Sequence, residues 1–204
     1  MPKWAFDFTG RTPIIEDRPI KIEKQLTEET IGMFGQRQVL TLARYMDTNQ
    51  PVMVKIRYDL NPKHFNLQNP KQVRKDAKED FMNEWEGVET VQKIGHGPEY
   101  IDHFMQKARP SFPYPNGKVY FLILSRVPGE NVAEIYKELS FEQLESIRRQ
   151  IAYILEHMRQ DDWALSEQDP NFLRYDREQD KLYLVDFTYL SIIDSESPTS
   201  CPSP

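Results

Sequence analysis

An α+β fold, with antiparallel strands first and helices after them, is predicted by three observations on this 204-residue chain. The run Val52-Met53-Val54-Lys55-Ile56-Arg57-Tyr58 alternates, with Val52, Val54, Ile56 and Tyr58 on one face and Met53, Lys55 and Arg57 on the other. Two later stretches carry helical periodicity bounded by matching start and stop residues. Near the end, two short apolar runs flank the polar Asp176-Arg177-Glu178-Gln179-Asp180-Lys181, the pattern of a hairpin.

Residues 1–19 hold Pro2, Pro13 and Pro19 and read as an extended lead-in, whose alternating Trp4, Phe6 and Phe8 either add a strand or dock on the core. Strands follow over 20–26, 39–45 and 52–58, the last two joined by a polar turn ending at Pro51. A Pro- and Asn-rich insert, Asp59 to Asn69, leads into the first helix. Asn69 caps it, Pro70 takes the first helical position and Gly95 closes it. Val73, Ala77, Phe81, Trp85 and Val88 form its core-facing stripe. Lys71, Arg74 and Lys75 sit unfavourably at the positive end of its dipole.

Residues 99–104 read as a short strand and 109–117 as a loop. The run 119–124 is apolar without alternation, so it is a buried strand, and a turn follows from Val127 to Glu130. The second helix is the best marked. Ser140 and Gln143 make a capping box, Leu139 and Leu144 have staple spacing, and Leu144, Ile147, Ile151, Ile154, Leu155 and Met158 share a face. Residues 188–193 read as ordered, and 194–204 as a disordered Ser/Pro tail with too little apolar area to fold.

The totals exclude several classes. A net charge of −6 argues against nucleic acid or anionic membrane as partner. No apolar run approaches the roughly 20 residues that span a bilayer. The single cysteine, Cys201, rules out an internal disulfide framework or a cysteine-built metal site, which suits cytosol or nucleus. The four histidines, His64, His96, His103 and His157, show no ligand spacing and read as structural.

Chemistry concentrates at the hairpin, which carries Asn171 at its start and Asp186 at its end. Pairing its strands puts an amide carbonyl and a carboxylate at one end, where oxygen ligands can hold Mg2+ with water and phosphate completing the octahedron. An Asn opening a turn and an Asp ending a strand read equally well on spacing alone.

Taken in order, the strands, the helix, the buried strand, the long helix and the hairpin resemble the protein-kinase-like superfamily, nearest its aminoglycoside-phosphotransferase-like and fungal kinase-like members. Val52-Met53-Val54-Lys55 is similar to the V-A-I-K strand, Phe81-Met82-Asn83-Glu84 to the helix that supplies the glutamate partner of that lysine, and 122–129 to the interlobe hinge. Asn171 is similar to the catalytic-loop asparagine, and Asp186-Phe187-Thr188 to D-F-G with Thr for Gly. The resemblance implies an N-lobe over 20–126 and a reduced, helical C-lobe over 127–193. It implies ATP and Mg2+ as ligands, with Lys55 on the phosphates, Glu84 holding Lys55 within about 4 Å, and Asn171 and Asp186 on the metal. Away from the resemblance, Lys55 reads as a solvated strand residue, and Glu79, Asp80, Glu84 and Glu86 are interchangeable solvated acids.

Three departures accompany the matches. The catalytic-aspartate position is Ser166, which leaves Asp169 as a displaced candidate base. The phosphate-covering glycines reduce to Gly32 and Gly35. The chain stops shortly after Phe187, whereas the family continues with several helices. The expectation is a kinase-like ATP/Mg-binding protein with weak or absent transferase activity. The alternatives are a pseudokinase-like module for a protein partner or self-association, and an α+β protein sharing the order by chance. A reduced C-lobe should leave Tyr153, Trp163, Tyr189, Leu190, Ile192 and Ile193 as a partly exposed patch.

Overall fold

Alternating apolar residues at the start of the chain build an antiparallel sheet, seen in a computed structural model that describes residues 4–115, 117–167 and 169–193. The Cys201 and tail readings lie outside those residues. The chain divides into two compact units, one of 1–81 with 101–126 and one of 82–100 with 127–204.

The first unit contains β1 (Ile14–Ile15), β2 (Arg18–Gln25), β3 (Glu29–Ile31), β4 (Gln36–Tyr45), β5 (Pro51–Asp59), the first half of α1 (Pro70–Lys93), β6 (Tyr100–Lys107) and β7 (Lys118–Ser125). The strand order is β1-β2-β4-β5-β7-β6, with β3 also on β4. Val52, Val54, Ile56 and Tyr58 fall on one face, as their spacing predicts. They join Val39, Val119, Phe121 and Ile123 in a closed apolar core. The lead-in forms no strand over Trp4–Phe8. It sends Phe6 and Phe8 into an edge-to-face cluster with Tyr58 and Phe112.

Asn69 starts α1 with positive φ and accepts from the Gln72 N–H at 3.4 Å, and Gly95 ends it at φ 75°. Ala77 and Phe81 face inward in this unit, Phe81 lying 5.2 Å from the Tyr120 ring. In the second unit the buried face of α1 runs through Glu84, Gly87, Val88 and Val91. Trp85 is only half-buried, against Tyr100, so the apolar stripe is broken by a glutamate where a tryptophan was expected.

The second unit adds β8 (Glu130–Asn131), α2 (Val132–Ile135), α3 (Phe141–Gln160), β9 (Trp163–Leu165), β10 (Leu173–Asp176), β11 (Lys181–Leu184) and β12 (Leu190–Ile192). The Ser140–Gln143 capping box forms in full. Leu139 is buried but Leu144 is 40% exposed, so the staple partner does not close. Short α2 escaped the sequence reading because it is one turn long. Asn131 caps it, accepting from the Ala133 N–H at 2.9 Å, while Val132 and Ile135 are buried.

The β10–β11 hairpin forms in the expected place, and its turn is tied to α3. Tyr175 and Ser146 hydroxyls donate to the two oxygens of Asp180 at 2.6 and 2.8 Å, and Gln150 bridges Asp180 O and Leu182 N. The expected exposed patch is only partial. Ile192 and Tyr153 are exposed, whereas Trp163 and Leu190 are buried, because β12 pairs with β9 and Leu190 sits in the notch left by Gly87. A Cβ on Gly87 would come within 2.4 Å of Leu190. An apolar cavity of about 220 Å³ opens beside α3, walled by Ile151, Ile154, Leu155, Leu165, Phe172 and Leu184.

Candidate functional site

In the second unit the hairpin end is built by two successive local devices. Asp169 caps the 3-10 turn Pro170–Phe172, its Oδ1 accepting from the Asn171 N–H at 2.9 Å. Phe172 C=O then accepts from the Val185 N–H at 2.8 Å, closing the ladder that pairs Leu173 with Leu184. Asn171 precedes that bonded pair within the 3-10 turn, and Asp186 follows it just past β11.

The orientation of Asn171 follows from its neighbours. Asn131 spends its oxygen on the Ala133 N–H, so its amide nitrogen is what donates to Asn171 Oδ1, at 3.1 Å. Asn171 Nδ2 in turn donates to Asp169 Oδ1 at 2.9 Å. Asp169 thus takes both the backbone and side-chain N–H of Asn171 on one oxygen, the work of a cap and a positioning group. Sequence reading missed Asn131, since nothing local marks a residue 40 positions from its partner.

Asp186 is 2% exposed, and its Oδ1 accepts from the Thr188 N–H at 3.0 Å and from the Thr188 hydroxyl. Ser166 lies at the end of β9, its N–H bonded to Tyr189 C=O and its hydroxyl 3.3 Å from Ser191 Oγ. The position that the resemblance gives to a catalytic carboxylate is thus a hydroxyl in the β9–β12 ladder. His96 presents its C=O to the Leu184 N–H and its Nδ1 to Leu182 C=O at 2.7 Å. Because a carbonyl only accepts, Nδ1 carries the proton, and His96 has the structural role expected of it.

In the first unit, Lys55 is 2% exposed and flanked by Leu40 and Leu122 on the neighbouring strands. It is not the solvated strand residue that composition suggests. Two residues along, buried Arg57 pairs with Asp80 of α1 at 2.5 Å and lies near the Phe81 ring. In the second unit, Glu84 of α1 is 1% exposed, which separates it from exposed Glu79 and Glu86 on the same helix.

The glycine turn departs furthest from the expected pattern. Gly32–Phe34 is a 3-10 turn, and the Gly35 N–H is used within it, donating to Gly32 C=O at 3.1 Å. Gly35 has φ 61°, and a Cβ there would lie 3.2 Å from Leu67 and 3.4 Å from Phe65. Leu60 N–H also donates to Gly35 C=O. The Pro/Asn-rich insert therefore packs on the turn and holds it.

The donors at the hairpin end are hard oxygens, an amide and a carboxylate, which suit a small hard cation that needs one or two protein ligands. Among the described residues there is no group of three or more His, Cys, Asp or Glu that could hold a metal ion. No helix among them is long and apolar enough to cross a membrane.

No family model matches the chain. No curated protein matches it either. Among solved structures it is similar to that of the Cydia pomonella Granulovirus kinase PK-1, at 17% identity and a TM-score of 0.52. The likeness covers 85% of this chain and 52% of that one, so the chain spans about half the length of the matched structure. The chain has a protein-kinase-like fold.

Proposed function

We propose that the chain is a kinase-like ATP- and Mg2+-binding protein with weak or absent phosphotransferase activity. The observation that carries this reading is the hairpin end. There the Val185–Phe172 backbone bond stands next to Asn171 and Asp186, while the position of the catalytic aspartate is Ser166.

In this reading Lys55 directs its ammonium to the nucleotide phosphates, and Glu84 takes the glutamate role that the resemblance implies. Each is buried in its own unit, where an ionised side chain needs an opposite charge. Asn171 and Asp186 supply oxygens to Mg2+, which would offset phosphate charge when bound. Gly32 and Gly35 contribute less than a full glycine loop, since their turn is stapled by Phe65 and Leu67.

The transfer step is where the site falls short. A hydroxyl at Ser166 cannot accept the proton of an attacking alcohol at neutral pH, and a missing general base forgoes about 100- to 10,000-fold in rate. Asp169 is engaged twice by Asn171, which favours a positioning role over that of a base. A partner-binding role is the second reading, favoured by the apolar cavity of about 220 Å³ beside α3 and by exposed Leu144, Tyr153 and Ile192.

Thermal unfolding with millimolar ADP or ATP, with and without Mg2+, tests this. The expected result is a higher Tm with nucleotide, a further Mg2+-dependent rise that Asp186→Ala removes, and hydrolysis near background. Fast Mg2+-dependent hydrolysis lost in Asp186→Ala would overturn the weak-activity part. No shift at saturating nucleotide would leave the partner-binding reading.

A further inference from the structure

We propose that the exposed face of the first turns of α1 is a docking surface for an acidic segment of another protein, held by Lys71, Arg74, Lys75 and Lys78. The surface belongs to the first unit and does not depend on nucleotide binding.

The spacing i, i+3, i+4, i+7 puts these four side chains on one stripe of the helix, and all four are exposed. Ala77 and Phe81, which are buried, lie on a separate stripe. Folding gains nothing from the basic placement. Lys71 with Lys75 and Arg74 with Lys78 are like charges at i, i+4, and Lys71 with Arg74 and Lys75 with Lys78 are like charges at i, i+3, so each neighbour repels the next. The stripe begins at the positive end of the helix dipole, and the first turn holds no acid to offset it.

Ion pairs do not compensate. Among the described residues none of the four cations has one, whereas Arg18, Arg37, Arg44, Arg57 and Arg126 of the same unit each meet a carboxylate. The nearby acids are engaged elsewhere, Asp76 accepting from Gln72 Nε2 at 2.6 Å and Asp80 from Arg57, and Glu79, one turn on from Lys75, does not pair with it. A chain of net charge −6 thus carries a concentrated positive stripe that its own carboxylates leave open.

Size and charge select the partner. From Lys71 to Lys78 is about 10 Å along the helix, the length of about three residues of extended peptide, so a short run of carboxylates spans the stripe. A nucleic-acid duplex or an anionic membrane reaches far beyond it and lies against a chain that is acidic in sum.

The test reads the fluorescence anisotropy of a labelled octaglutamate peptide with the full chain, at about 50 and about 200 mM salt, where screening differs. Octaglutamine, a labelled DNA duplex and phosphatidylserine vesicles are the other arms. The variants are Lys71→Glu/Lys75→Glu, Lys71→Arg/Lys75→Arg, and Lys24→Glu/Lys118→Glu, which makes the same charge change at exposed lysines of β2 and β7. Wild type should bind octaglutamate and not octaglutamine, and more weakly at the higher salt. Lys71→Glu/Lys75→Glu should weaken binding by at least about 5-fold, the scale of two exposed ion pairs, with Tm unchanged or raised because glutamates suit the start of a helix. The arginine variant and Lys24→Glu/Lys118→Glu should stay within about 2-fold of wild type. If Lys71→Glu/Lys75→Glu fails to fold, Lys71→Gln/Lys75→Gln decides by the same loss of binding. The proposal is overturned if wild type does not bind octaglutamate at the lower salt, if Lys24→Glu/Lys118→Glu loses as much binding as the stripe variant, or if the duplex or the vesicles bind more tightly than the peptide.

Discussion

The β5 face of the first unit and the α3 face of the second use the same kinds of side chain, yet one is sealed and the other is not. Val52, Val54, Ile56, Tyr58 and Phe121 are wholly buried among neighbouring strands and the phenylalanines of the lead-in. On α3, Ile154 and Met158 are buried, Ile151 and Leu155 are half-buried, and a cavity lies beside them. The difference is one of cover. A strand face is flat and is roofed along its length by adjoining elements, whereas the apolar stripe of a helix spans 100° or more and needs partners at several angles. The short β9 and β12 and the hairpin supply only some of those partners. The second unit spends polar contacts where the first spends apolar ones, as the Tyr175–Asp180–Ser146 ties show.

Truncation should break the comparison most sharply. Phe121→Ala is expected to cost about 3–5 kcal/mol, measured by urea unfolding, while Ile151→Ala at the cavity wall should cost about 1–2 kcal/mol because its side chain is already half-exposed. Equal losses would mean that the two faces are sealed alike.

Removing Asp80 should come next. Asp80→Ala leaves the buried Arg57 guanidinium without its 2.5 Å partner and is expected to cost about 1.5–3 kcal/mol. Glu130→Ala removes the exposed pair with Arg177, also met by Glu138, and should change stability by less than about 0.5 kcal/mol. The comparison is sharpened if both effects appear in one denaturation series.

Overpacking probes the space directly. Ile56→Phe should cost about 1–3 kcal/mol, since Ile56 is wholly buried in the core cluster, whereas Leu155→Phe can grow into the cavity and should lie within about 1 kcal/mol of wild type. A large loss for Leu155→Phe would show that the cavity walls cannot give way.

Smallest in size, and most diagnostic of the second unit, is Tyr175→Phe, expected to cost about 1 kcal/mol at neutral pH. Burial first, and then the bond to Asp180, push the Tyr175 phenol up to about 12. The hydroxyls of Tyr175 and then Ser146 hold the Asp180 carboxyl below its ordinary 3.8. A phenol raised in the folded state lends stability below pH 10 and loses it as pH climbs from 10 towards 12. A carboxyl lowered in the folded state lends stability above pH 3.8 and loses it as pH falls below that. The wild-type advantage over Tyr175→Phe should therefore be flat between about pH 5 and 9 and shrink on both sides. A constant difference up to pH 12 would show that the hydroxyl does not make the tie.

What the sequence by itself determined is what short-range chemistry controls. The two-residue alternation of β5 sorted Val52 to Tyr58 onto their faces. Ser140 and Gln143 marked the start of α3, and the polar 176–181 segment between apolar runs turned the chain into the β10–β11 hairpin. What only the tertiary structure decided depends on residues far apart in the chain. That Glu84 rather than Trp85 lies on the buried face of α1, that Leu190 fills the notch at Gly87, that Phe65 and Leu67 hold the glycine turn, and that Asn131 orients Asn171 across 40 residues are outcomes of packing. Local pattern cannot encode them, because a side chain's propensity and period are set within a turn or two of its own position. Its burial and its hydrogen-bond partners are set by whichever distant segment closes over it.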